Sequence, residues 1–181
     1  MISFIKYALV CILILLALYT DSKSYKIKNN MLIIFVLLGL FIHIIESGIS
    51  GIGSWATGLL LPFVILFVFF MLRVLGAGDV KLVSTISCIL GIGFVKEASL
   101  YMLVIAGLMA LIKMSYHRNF TQRMKHFFRF IHQCFMTRQV REYDDLHTKD
   151  KSHVIRLSYA IGLGTLWQMI LEINQIYHVI G

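Results

Sequence analysis

The sequence predicts an all-α polytopic membrane protein of about six transmembrane helices, with a basic amphipathic helix in its last connection. Three observations predict it. Of the 181 residues 59% are hydrophobic and 14% charged, against about 45–50% apolar and about 25% charged in an ordinary soluble domain. Six apolar stretches are separated by polar connections. The basic residues gather in alternate connections.

The stretches are 2–19, 31–45, 55–72, 82–95, 98–112 and 157–170. About 20 mostly apolar residues cross the roughly 30 Å hydrocarbon layer as a helix. The first and third reach that length with their flanks; the second and sixth reach it by recruiting polar neighbours. The fourth and fifth are short, with a tight turn expected at Lys96–Glu97. They read as a helical hairpin, with a re-entrant pair as the alternative. The first stretch follows Lys6 as a signal peptide would. It leads into Thr20-Asp21-Ser22-Lys23 with no small-residue cleavage site, so it reads as a retained helix.

Cytoplasmic connections are expected at about 20–30, 73–81 and 113–156, in a single domain spanning 1–181. Of the 17 lysines and arginines, only Lys6 and Lys96 fall outside these connections. The positive-inside rule then places all three in the cytoplasm of a multi-pass cell-membrane protein, with both termini outside. The net charge of +8 thus reads as topology and as contact with anionic lipid, and no nucleic acid is expected. In the long connection, Phe120, Met124, Phe127, Phe128, Ile131 and Phe135 recur at helical steps among Arg123, Lys125 and Arg129. That pattern describes an interfacial helix. Residues 141–153, dense in charge of both signs, read as a solvated loop.

Cys11, Cys88 and Cys134 stand alone, and His126 and His132 lie six apart. Neither pattern suits a metal, and no cofactor is expected. The pairs Ser158/Gly162 and Ala160/Gly164 put small residues four apart, as close helix packing requires.

Carboxylates near a bilayer need a reason. Four of the nine acids fall in the solvated loop. Glu46 and Glu97 fall at expected outer turns, and Glu172 at the polar end of the last helix. Asp21 and Asp79 remain, both at the cytoplasmic edge. Each could be a boundary charge or a helix cap. Together they could hold a water, one acting as base and the other supplying a proton. Asp79 closes the run Gly76-Ala77-Gly78-Asp79, and residues without a Cβ let a chain approach the carboxylate. Lys81 reads as a snorkelling lysine or as a group that tunes Asp79.

These residues resemble the type IV prepilin leader peptidases, GxGD intramembrane aspartyl proteases of bacteria. Gly76-Ala77-Gly78-Asp79, followed by Val80-Lys81-Leu82, is similar to the family's GxGD motif. Asp21, Ile27 and Asn29 match its D-x5-I-P-N pattern, with Lys28 in place of the proline. The segment 155–164 resembles a third family segment, with Arg156 in place of its proline. The resemblance implies Asp21 and Asp79 as the catalytic pair, with Gly76, Ala77, Gly78, Lys81, Ile27 and Asn29 in support. It implies cleavage of a short basic leader from prepilins or pseudopilins at the cytoplasmic face. The length and the lone cysteines resemble the short, peptidase-only branch found with tight-adherence (Flp-type) pili, so no N-methyltransferase activity is expected. The rival reading is a non-enzymatic transporter subunit or secretion-system scaffold. Oligomeric state is not legible.

Overall fold

The computed structural model describes residues 2–24, 27–72, 75–116 and 157–180. These form six helices: α1 (Ile2–Ser24), α2 (Asn29–Ser47), α3 (Ser50–Met71), α4 (Ala77–Leu90), α5 (Ile92–Tyr116) and α6 (Leu157–Ile180). No strand occurs among the described residues. Four helices are long and apolar enough to cross a membrane: α1, α2, α3 and α5. The protein is an all-α polytopic membrane protein. The amphipathic helix and solvated loop expected within 113–156 lie outside the described residues, except that 113–116 continue α5.

Two compact units divide the chain, 1–106 with 156–181, and 107–155. Of the second, the described part is the C-terminal end of α5. In the first, α4 is the axis. It packs against α1, α2, α3 and α6, most extensively against α3. Val80 and every residue from Leu82 to Ile89 are buried. Ser84 bonds the Val80 carbonyl and Thr85 the Lys81 carbonyl, both at 2.8 Å. Such back-bonding lets a polar side chain sit in an apolar interior, while the buried Ser87 hydroxyl has no hydrogen-bond partner among the described residues. Glycines on the surrounding helices set the close distances. A Cβ on Gly58 of α3 would stand 2.7 Å from the Ser87 carbonyl oxygen, and one on Gly39 of α2 3.0 Å from Ile89. On α6, Gly162 lies against Ile14 and Gly164 against the Met102 backbone, so the small residues of this helix do serve close packing.

Several expected boundaries move. The connection at 20–30 is shorter, because α1 continues through Thr20, Asp21 and Ser22 to Ser24. Polar residues do not stop a helix; Thr20 simply bonds the Leu16 and Ala17 carbonyls. The connection at 73–81 ends where α4 opens at Ala77. The turn expected at Lys96–Glu97 is instead at Gly91. Its φ of 93° and ψ of 161° are open essentially to glycine alone. α4 is therefore 14 residues and α5 is 25, and the two do not pack along each other as a hairpin. At 14 residues α4 is about 21 Å long, short of the hydrocarbon thickness.

Candidate active site

Four helix ends meet at one end of the first unit: the last turns of α1 and the first turns of α2, α4 and α6. At the opposite end, polar groups tie the helices together. Lys6 pairs with Glu46, Tyr7 donates to Glu172 at 2.5 Å, and Gln168 donates to Glu97 at 2.6 Å. Glu46, Glu97 and Glu172 thus all have partners on other helices, which accounts for three of the carboxylates.

Asp79 lies in the first turn of α4, which opens without a side-chain cap. The Asp79 and Val80 amides both bond the Gly76 carbonyl, at 3.1 and 3.2 Å. The two glycines of the motif have separate uses. A Cβ on Gly76 would lie 2.9 Å from Asp79 Oδ2, so the carboxylate occupies the space that glycine leaves. A Cβ on Gly78 would meet the Ile27 side chain at 3.4 Å. Ile27, in turn, packs on the hydrophobic core. Asn29 opens α2, and its Oδ1 accepts a 3.0 Å hydrogen bond from Lys81 Nζ, linking α2 to α4. Ala77 is exposed.

Asp21, on the last turn of α1, is brought to this end by the packing of α1 on α4. Burial, then the negative charge of Asp21, pushes Asp79 up to about 6, opposed by a hydrogen bond from the Gly76 backbone. The two carboxylates thus interact electrostatically. Carboxylates so placed can divide labour, the protonated one as acid and the ionised one as base. Among the described residues no group of three or more histidines, cysteines and acids could hold a metal ion.

Sequence reasoning missed two hydrogen bonds that join α1 to α6 here. Ser158 donates to Asp21 Oδ2 at 2.5 Å, and Ser22 and Tyr159 share a hydroxyl–hydroxyl bond of 2.6 Å. Ser158 was expected only to pack. The signal that bears on it is its place beside Tyr159 in the segment 155–164.

The architecture defines a class, a polytopic membrane protein with an interacting carboxylate pair at one end of its helices. A family model described as the type IV leader peptidase family matches residues 8–114. This is more than half of the chain, so the protein belongs to that family and is a membrane peptidase. The match covers Asp21 and Asp79. Searches of curated proteins and of solved structures give no match.

Proposed function

We propose that this peptidase is an aspartyl endopeptidase that cleaves the short basic leader from type IV prepilins of the Flp-like kind, with Asp21 and Asp79 activating water. The observation that carries the reading is that Asp21 and Asp79 stand at the same end of the helices, near enough for the charge of Asp21 to raise the Asp79 carboxyl. The Gly76-Ala77-Gly78-Asp79 motif, within the family match, supports it.

In this scheme one carboxylate takes a proton from water while the hydroxide adds to the scissile carbonyl carbon. The other carboxyl gives its proton to the carbonyl oxygen, producing a gem-diol. As the C–N bond breaks, the first returns its proton to the departing amine and the second recovers one from a diol hydroxyl. Both acids end as they began, and no covalent intermediate forms. Gly76, Gly78 and Ile27 shape the ground around Asp79, and Ala77 opens its helix. Asn29 and Lys81 brace α2 against α4.

The gathering of lysines and arginines in the connections 20–30, 73–81 and 113–156 supports an orientation with this end at the cytoplasmic face of the cell membrane and both termini outside. The lysines and arginines there would contact anionic lipid. The substrate is a single-pass helical protein whose basic leader lies on the same side.

The test is co-expression with a candidate prepilin. Wild type is expected to release the leader, and Asp21→Asn and Asp79→Asn to leave it attached at wild-type protein levels. Normal cleavage by both variants would overturn the reading.

A further inference from the structure

Hydroxyls in the described helices mostly bond their own backbone. Ser84, Thr85 and Thr165 each reach the carbonyl four residues back. Ser158 differs. It stands in the first turn of α6, where no carbonyl of that helix lies four residues behind it. It is 2% exposed, and its hydroxyl crosses to Asp21 Oδ2 at 2.5 Å. One residue further along each helix, Ser22 and Tyr159 form a second link at 2.6 Å.

We propose that Ser158 is a positioning residue for the peptidase reaction, holding the Asp21 carboxylate in place as the base toward water while Asp79 supplies the proton. This rests on the aspartyl reading above. Because the bond falls on Oδ2, Oδ1 is left to accept from water. Asp79 is held differently, by the Gly76 backbone and by burial, and burial favours the protonated acid. Hydrolysis then runs in one sense. Asp21 removes the proton from water, and Asp79 protonates the carbonyl oxygen.

Among the described residues, the charged or titratable groups on the elements packed against this end of α1 are few. They are Asp79 and Lys81 on α4, Lys28 at the head of α2, and Tyr159 on α6; Lys23 lies on α1 itself. Removing the Ser158 hydroxyl therefore takes away a donor to Asp21 and leaves every charge in place.

The experiment measures kcat and KM for the full chain in proteoliposomes, with a purified prepilin as substrate. A lost hydrogen bond to a charged group of about 1.4 kcal/mol corresponds to tenfold in rate. Ser158→Ala is expected to lower kcat about tenfold with KM little changed. Ser158→Thr should restore kcat. Tyr159→Phe, which removes the hydroxyl of the neighbouring link, should leave kcat closer to wild type than Ser158→Ala does. Ser158→Cys, a weaker donor in the same place, should lower kcat less than alanine does and serves if the alanine variant fails to fold. A wild-type kcat in Ser158→Ala, or a loss that appears in KM and not in kcat in either variant, overturns the proposal. So does a threonine variant no better than alanine. Asp21→Asn separates the two readings. If it still cleaves, the aspartyl mechanism fails and this proposal with it. If it is inactive while Ser158→Ala keeps the wild-type kcat, only the role of Ser158 fails.

Discussion

Gly76 and Asp79 share one small volume: a Cβ on Gly76 would stand 2.9 Å from Asp79 Oδ2. The atom at risk is the end of a side chain, which can swing away without disturbing the helix. Gly76→Ala should therefore leave the thermal midpoint close to wild type while displacing the carboxylate. Cleavage is expected to fall by about a hundredfold, the scale of a misplaced catalytic group. Paired melting and cleavage assays check it; a fall in both together would mean that the helix itself was disturbed.

Asp79 sets a pH dependence of known sign. Its carboxyl is raised from 3.8 to about 6, first by burial and then by Asp21. As the proton donor it works only when protonated, so kcat/KM should fall as pH rises through about 6. The same shift affects stability. A carboxyl whose pKa is higher folded than unfolded contributes fully below 3.8, and the contribution is lost as pH rises through about 6. Asp79→Asn should flatten the melting temperature across that window, as thermal scans at stepped pH would show.

The α3–α4 seam should be intolerant of added volume. At Gly58 a Cβ would meet the Ser87 carbonyl oxygen at 2.7 Å, and backbone cannot rotate aside. Gly58→Ala should cost about 1–3 kcal/mol, the usual cost of overpacking. Gly53, on the same helix, has nothing within 4 Å of its would-be Cβ. Gly53→Ala should therefore be neutral or slightly stabilising. Unfolding in detergent micelles compares the pair.

Lys28 stands where the family pattern has proline, and its backbone already fits one. It is the residue before α2, with φ −72° and ψ 124°, close to the proline value of about −65°. Lys28→Pro should keep cleavage and raise stability by about 0.4–1 kcal/mol through a stiffer unfolded chain. Melting temperature and cleavage rate measured on the same preparation check both halves.

The apolar helices were legible because burial in lipid writes a plain signal, and α1, α2 and α3 fall where their runs of leucine, isoleucine and phenylalanine put them. The α4–α5 boundary was not. Gly91 sits between Leu90 and Ile92, so hydropathy is unbroken across the real turn, while the charges of Lys96 and Glu97 suggested a false one. Those charges are tolerated inside α5, where Glu97 accepts from Gln168. The motif around Asp79 was legible as residues but not as geometry. Nothing in Gly-Ala-Gly-Asp says that one glycine makes room for its own carboxylate and the other for Ile27. The bond from Ser158 to Asp21 joins residues 137 apart in the chain. Local pattern could not have found it, since a serine four residues before a glycine looks like any packing pair.

α4 is walled by protein along most of its length and carries Ser84, Thr85 and Ser87 in its buried run. A segment so short and polar is a poor candidate for stable residence in lipid by itself. Chain order supplies the remedy, since α1, α2 and α3 are all synthesised before it and three of its four neighbours are waiting when it emerges. The helix that carries Asp79 thus enters an assembly already made to receive it. The order in which the ribosome delivers the helices becomes part of how this site is built.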